Sequence, residues 1–282
     1  MIKVVAVTSS GLTADECQKY DIAMIPQRVN FGMESLRDGI DITNEVFLQR
    51  LASSKDFPKT SQPPAGDFVE AFKKLRSAGH EPLAVVVSSK LSGTFSSANT
   101  AKSELQDDPA ITVFDTLSVA GGEGLMALEA ARMAEAGHSL ADILKKLEAM
   151  REHMHMYIVF NTLEYLAKGG RIGKAQQLIG SMLNMKPILT LKHGAIEPHE
   201  RIRTQKKALA RLREIVDHAL RGKTKVQAAV MYTEVTFEAT QLANELKEQY
   251  HLSECNAYHM SPAVGAHAGP GALGIAFYIE HH

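Results

Sequence analysis

Hydroxyl side chains and glycine are concentrated in three short segments of the first half of the chain. The segments are Thr8-Ser9-Ser10-Gly11, Lys59-Thr60-Ser61-Gln62-Pro63 and Leu91-Ser92-Gly93-Thr94. Each stands at the end of a predicted strand or the start of a predicted helix, where free backbone N–H groups favour negative charge. A hydroxyl can donate a hydrogen bond to a carboxylate without adding charge. Singly, each segment is better explained as a turn or a helix cap, but all three are candidates for holding an anion.

Positively charged candidates come from the second half of the chain. Arg171 follows the glycine turn Gly169-Gly170, from which its side chain can reach into a crevice. Arg203 stands at the predicted start of a long helix, a position that does not favour a cation, although most such arginines are simply solvated. His267 lies in residues 264–271, where small residues let backbone and ligand approach closely, and a lone histidine is otherwise a structural residue.

The same residues permit a second chemistry, which is nucleophilic catalysis. Ser92 or Ser9 would be the nucleophile, His267 the base and Asp115 the group that orients it. The sequence offers this hydrolase or acyl-transfer hypothesis little support, because it has no G-x-S-x-G elbow and no phosphate-binding Walker loop. His153 and His155 are two residues apart and fit a strand or a surface better than a metal site.

The elements that must position these residues alternate between strand and helix in the first half. The apolar run at residues 83–87 is typical of a strand covered on both faces, and residues 4–7 and 111–114 are further strands. Such alternation predicts βαβ units and a parallel sheet. A helix is expected at 118–135, a second directly after its cap Thr43 and a third directly after its cap Ser139. Residues 59–66 are expected to be a loop.

The second half has a different pattern of predicted strands and helices and is expected to form a second α/β domain. Strands are predicted at 157–160, 187–191, 226–232, 254–258 and 274–279, and helices at 163–167, 176–183, 201–220 and 237–250. We therefore predict an N-terminal domain over residues 1–155 and a C-terminal domain over residues 156–282.

Composition excludes several classes of partner. The 282 residues carry 31 Lys and Arg against 32 Asp and Glu, so the net charge of −1 gives no global field for nucleic acid or an anionic membrane. Aromatic residues are only 6% and Trp is absent, which disfavours a stacking surface. Cys17 and Cys255 fit no metal or redox spacing and are expected to be reduced thiols. These features predict a cytoplasmic protein that handles a small molecule and makes at most transient membrane contact. The final His281-His282 pair, which resembles a tag remnant, is excluded from any site.

Taken together, the motifs resemble the DegV family of bacterial fatty-acid-binding proteins. They are Thr60-Ser61-Gln62-Pro63, Leu91-Ser92-Gly93-Thr94, Lys168-Gly169-Gly170-Arg171-Ile172, Arg203-Thr204 and His267-x-Gly269-Pro270-Gly271, which stand in the family's order across the whole chain. The resemblance implies a two-domain α/β fold with one long-chain fatty acid near the domain junction and no cofactor. It also implies a protein without catalysis of its own, since some members carry the acyl chain for a separate ATP-binding subunit of a fatty acid kinase.

The resemblance also assigns residues to the ligand. Thr60 and Ser92 would bind the carboxylate, while Arg171, Arg203 and His267 would line its mouth. The supporting loops would contain Ser61, Gly93, Thr94, Gly170, Gly269 and Gly271. Burying about fourteen methylenes at ~0.8 kcal/mol each gives a gross driving force of about 11 kcal/mol, before ordering costs. Candidate walls for the tail are the apolar residues of 163–191, including Met182, Leu183 and Met185.

Overall fold

The computed structural model of the chain describes residues 1–54, 56–181, 185–234 and 237–280. The described strands are β1 (Ile2–Val7), β2 (Ala23–Ile25), β3 (Arg28–Phe31), β4 (Glu34–Arg37), β5 (Lys59–Ser61), β6 (Glu81–Val86), β7 (Thr112–Asp115), β8 (Met154–Val159), β9 (Lys186–Lys192), β10 (Ala195–Ile202), β11 (Val226–Tyr232), β12 (Cys255–His259) and β13 (Leu273–Ile279). The described helices are α1 (Ala14–Lys19), α2 (Asn44–Ser53), α3 (Ala65–Ser77), α4 (Thr94–Glu104), α5 (Gly121–Glu135), α6 (Leu140–His153), α7 (Glu164–Lys168), α8 (Gln205–Leu220), α9 (Phe237–Gln249) and α10 (Pro262–Ala268). Two 3₁₀ segments cover Thr8–Ser10 and Gly173–Ser181.

The strands form three sheets. The parallel sheet has the order β2-β1-β6-β7, and all its strand pairs are parallel. The hairpin sheet has the order β4-β3-β5 and is antiparallel. The six-stranded sheet has the order β10-β9-β8-β13-β11-β12, in which only β11 and β12 are parallel. This architecture confirms the predicted α/β fold with a parallel sheet followed by a second sheet.

Helix α5 lies between the parallel and six-stranded sheets, and it packs against β1, β6, β11 and β13. Its three glycines and its alanines keep it thin enough to be buried on most sides, with nine of its residues buried. The parallel sheet has apolar packing on both faces, which is why the run at residues 83–87 is fully apolar and buried. The first two sheets come from residues before 116, and the third from residues after 153. The predicted division after residue 155 falls inside β8 and stays a prediction.

Several predicted elements form where expected, and four differ. Thr43 and Ser139 cap α2 and α6 by accepting hydrogen bonds from the backbone N–H of Val46 and Asp142. The helix predicted at 118–135 begins later, at Gly121. Residues 59–61 are not a loop but form β5, because β3 offers them an antiparallel edge.

The helix predicted to start at residue 201 begins instead at Gln205. Residues 195–202 pair with β9 as strand β10, and the Thr204 side chain accepts from Lys207 N–H to start α8. Residues 176–181 lie in a 3₁₀ segment, whereas Met182 and Leu183 lie outside the described residues. The pair His281-His282 also lies outside them.

Both thiols are free. Burial raises the pKa of Cys17 to about 11 and that of Cys255 to about 12, so neither forms a thiolate near neutral pH. Over the part of the chain that the structure describes, no helix has the length and apolar character needed to cross a bilayer.

Candidate functional site

A cavity lies where the three sheets meet. The parallel sheet contributes residues that follow β1 and β6, and the hairpin sheet contributes β5. The six-stranded sheet contributes β8 and β10, and α10 lies along one side. Residues far apart in sequence therefore share one enclosed space, at the carboxyl ends of β1 and β6 as is usual for α/β folds.

One end of the cavity is polar. It is lined by Thr60, Ser92, Arg171 and His267. A hydrogen bond of 2.7 Å joins Thr60 Oγ1 to His267 Nε2, and Ser92 Oγ lies 2.8 Å from Thr94 Oγ1. Two hydroxyls, an imidazole and a guanidinium thus line the same cavity.

The Arg171 side chain is held by backbone oxygens. Its Nε donates to the Leu91 carbonyl at 3.0 Å and its Nη1 to the Gly169 carbonyl at 2.7 Å. Across the described ranges, no Asp or Glu oxygen lies within ion-pair distance of this guanidinium. Its charge is therefore positioned at the cavity wall without an acidic neighbour, which is the condition for recognising an anionic ligand.

His267 is neutral near pH 7. Burial, followed by the nearby charge of Arg171, lowers the pKa of its imidazole to about 4. A Cβ on Gly169 would lie 2.1 Å from His267 Nδ1, so only glycine at position 169 leaves room for this ring. Gly269 has φ of +73° and faces the Tyr165 ring at a distance that also excludes a side chain.

The rest of the cavity wall is apolar. Helix α10 contributes Ala263, Val264 and Ala268, which lie on the same face as His267 because of their helical spacing. The small residues of 264–271 were predicted to let backbone and ligand approach closely, and the helix that covers the first part of this stretch places four of its side chains on the cavity wall. The other apolar lining residues are Val87, Leu91, Val119, Ala120, Ile158, Phe160, Leu166, Ile196 and Met260.

The structure brings together Thr60, Ser61, Ser92, Arg171 and His267 of the predicted site. Arg203 is different: it lies on the exposed turn between β10 and α8 and does not line the cavity. Its predicted place at the mouth of the site came from the family resemblance, and it stands just before Thr204, the N-cap of α8. The binding roles of all these residues stay predictions.

The predicted loop residues Thr94, Gly93, Gly170 and Gly271 do not line the cavity themselves. Thr94 is buried and holds the Ser92 hydroxyl, and a Cβ on Gly93 would come within 2.9 Å of the Gln62 amide. Gly170 and Gly271 have φ of +70° and +75°, which glycine adopts without strain. Among the predicted tail walls, Leu166 lines the cavity and Met185 does not.

The alternative catalytic arrangement is not assembled. Asp115 Oδ1 accepts hydrogen bonds from the backbone N–H groups of Ser89 and Leu117, and His267 bonds to Thr60. Ser9 donates to Glu123. No group of three or more metal-ligating side chains occurs among the residues that the structure describes.

The lining residue Gln27 had not been predicted, and neither had the buried Glu123 behind Ser9. Glu123 is fully buried, and burial raises its pKa well above the ordinary value. The sequence signal that could have found Glu123 is its position inside the glycine run Gly121-Gly122-Glu123-Gly124, since glycines on a helix let other elements pack closely around it.

The geometry can be compared with known proteins. A family model described as an uncharacterised protein of the DegV family matches residues 1–280. The chain belongs to the DegV family. The DegV protein of Bacillus subtilis is 34% identical over 281 residues, which are 99% of both chains.

Solved DegV structures superpose closely on the chain. A DegV family protein from Thermus thermophilus, described by its fatty acid binding, has a TM-score of 0.93 at 32% identity, covering 99% of both chains. The B. subtilis DegV structure, a fatty acid binding protein, has a TM-score of 0.89 at 34% identity, again covering 99% of both. A stearic acid-binding protein from Eubacterium ventriosum has a TM-score of 0.91 at 26% identity, covering 99% of this chain and 98% of that one.

Proposed function

We propose that this DegV protein binds one long-chain fatty acid, with its carboxylate among Thr60, Ser92, Arg171 and His267. The observation that carries the proposal is the guanidinium of Arg171, which lies at the polar end of an otherwise apolar cavity and has no acidic partner in the described residues. A single anionic head with a long apolar tail complements this distribution of polarity.

The similar solved structures support a fatty acid as the ligand. The T. thermophilus and B. subtilis proteins are both described as fatty acid binding, and each covers nearly the whole chain at more than 30% identity. The apolar wall also supplies enough driving force, because burial of about fourteen methylenes is worth about 11 kcal/mol before ordering costs. No cofactor is needed for such binding.

Native mass spectrometry of protein purified without added lipid tests the proposal. We expect a bound acid with a chain of about fourteen to eighteen carbons, and uptake of oleate or palmitate after delipidation. Ser92→Ala should weaken uptake, whereas Ser96→Ala, which removes an exposed hydroxyl from α4, should not. A protein that is purified empty and takes up neither acid would refute fatty acid binding.

We further propose that the chain is a carrier that presents the carboxylate to a separate ATP-dependent kinase subunit. The exposure of the cavity ends supports this orientation: Gln62 is exposed and Ser92 and Arg171 are half-buried, whereas Val87 and Met260 are buried at the apolar end. A carboxylate oxygen of the bound acid would attack the γ-phosphorus of ATP held by the partner, and ADP would leave.

Trapping with hydroxylamine tests this second step. With the partner subunit, ATP and loaded protein, we expect an acyl hydroxamate, and no product when either protein is left out. Product formed by the isolated chain, or none in the complete mixture, would contradict the carrier role.

A further inference from the structure

Gln27 places an unpaired amide in the wall of the cavity. Its residue is only 7% exposed, and its backbone N–H and carbonyl are both used, by Thr8 Oγ1 and by the N–H of Asp38. Its side-chain amide, by contrast, makes no hydrogen bond to any described residue. Because Gln27 lines the cavity, its amide is free to hydrogen-bond to a polar group of a ligand there.

Ser9 is the second polar residue in this part of the cavity wall. It is 2% exposed, and its hydroxyl donates to Glu123, whose carboxylate oxygens lie 2.9 and 3.1 Å away. Because a serine hydroxyl has one hydrogen and two lone pairs, this commitment leaves Ser9 Oγ able to accept but not to donate. That holds while Glu123 is ionised, the state in which its carboxylate can only accept hydrogen bonds.

Backbone contacts bring the two residues near each other. Thr8, next to Ser9, accepts from Gln27 N–H at 3.0 Å. Val29 pairs with Thr60 across β3 and β5, and Gln27 lies two residues before Val29 on the same side of the chain. At ~3.3 Å per residue, Gln27 lies about 7 Å from the level of Thr60.

We propose that Gln27 and Ser9 form a second polar subsite within the cavity, which receives a hydroxyl group carried on the acyl chain. The inference rests on the proposed fatty acid binding and deepens it by naming a ligand class, the hydroxy fatty acids. The Gln27 NH₂ donates to the ligand oxygen, and the ligand hydroxyl donates to a lone pair of Ser9 Oγ, so the amide gains a partner and the ligand hydroxyl is paired both as donor and as acceptor.

The chemistry distinguishes a hydroxyl from a carbonyl. An oxo group on the chain can accept from Gln27 but has no hydrogen for Ser9, so it satisfies one of the two groups. A plain methylene satisfies neither and leaves the amide buried without a partner, which is the situation in which hydrogen-bonding sites reject analogues most strongly.

Competition binding with octadecanoic acid, a series of hydroxyoctadecanoic acids with the hydroxyl moved along the chain, and the matching oxo acids tests the subsite. We expect one hydroxy acid of the series to bind about tenfold more tightly than octadecanoic acid, with its oxo counterpart lacking most of that gain. Gln27→Leu should abolish the preference, so that the ratio of the two affinities falls to about one. Ser9→Ala should reduce the preference, and if its unpaired Glu123 prevents folding, the oxo acids test the Ser9 contact in the unmodified protein.

Ser61→Ala is the matched control, because it removes a lining hydroxyl at the carboxylate end. It should change the affinities for octadecanoic acid and for the preferred hydroxy acid by the same factor. Equal affinity for octadecanoic acid and every hydroxy acid would overturn the subsite while leaving fatty acid binding intact. So would a preference that survives Gln27→Leu. Absence of binding by octadecanoic acid itself would instead refute the proposed function on which the subsite depends.

Discussion

Substitution of Gly169 by alanine tests how the polar end is built. Gly169 has φ of −78°, which alanine adopts freely, so the effect of the new methyl group is steric rather than conformational. That methyl would lie 2.1 Å from His267 Nδ1, 2.7 Å from Cε1 and 3.0 Å from the Tyr165 carbonyl oxygen. The ring must move by more than about 1 Å to restore van der Waals contact, and its 2.7 Å bond to Thr60 then breaks.

The loss can be estimated from two contributions. A broken hydrogen bond costs about 1 kcal/mol, and overpacking by one methyl costs a further ~1 kcal/mol or more. We expect the free energy of unfolding to fall by about 2 kcal/mol and the affinity for a fatty acid to fall about tenfold. Urea denaturation and calorimetric titration with palmitate measure these two quantities.

Gly66→Ala is the control, because Gly66 lies in α3 with no atom within 4 Å of the added methyl. It should leave affinity unchanged and stabilise the helix by up to about 1 kcal/mol. If Gly169→Ala binds palmitate as the unmodified protein does, His267 takes no part in holding the ligand and the reasoning fails.

Three further predictions concern charge. Arg171→Gln should weaken fatty acid binding ~10- to 100-fold in calorimetric titration, equally for short and long chains, because hydrogen bonds to charged groups are worth about 1.5–3 kcal/mol. The control Lys174→Gln removes an exposed charge three residues away and should have no effect. Equal losses of affinity in the two variants would contradict the role of Arg171. Arg203→Gln should change the affinity for a fatty acid by less than about twofold, since this exposed residue does not line the cavity. A tenfold loss in the same titration would show that Arg203 contacts the ligand. Burial raises the pKa of Asp38 to about 6 from 3.8, so the folded state holds more protons than the unfolded state between about pH 4 and 6, and the contribution of Asp38 to stability falls as pH rises through that window. Asp38→Asn should therefore gain about 3 kcal/mol relative to the unmodified protein between pH 4 and pH 7 in urea denaturation, and a constant difference would show that Asp38 titrates normally.

The sequence allowed the parallel sheet to be predicted, because its strands are continuous apolar runs with helices between them. Residues 83–87 illustrate this, since they are buried on both faces as such a run requires. The motif segments also predicted Thr60, Ser92, Arg171 and His267 as neighbours, and all four line one cavity. Short motifs sufficed there because each segment is fixed locally by a strand end, a glycine turn or a short helix.

Two features depended on long-range pairing and were missed. Residues 201 and 202 fit a helix by local pattern, but they pair with β9 and so belong to strand β10. Arg203 consequently lies in the exposed turn that follows this strand. Gln27 and Glu123 carried no motif, since their importance arises from burial beside a cavity that only the assembled sheets create. Tertiary pairing overrode local propensity in the first case, and burial gave meaning to an ordinary residue in the second.

The polar end joins parts of the chain that are distant in sequence. Thr60 and Ser92 come from elements of the first half, whereas Arg171 and His267 come from the second, and the Thr60–His267 bond closes a loop of more than two hundred residues. A carboxylate seated there would contact both halves and also supply the anion that Arg171 lacks among the described residues. Because binding to the folded state alone adds RT ln(1 + [L]/Kd), a ligand at one hundred times its Kd would contribute about 2.7 kcal/mol. That energy would act at the junction of the sheets, where polar groups of both halves meet, so ligand binding and the docking of the two halves should stabilise each other.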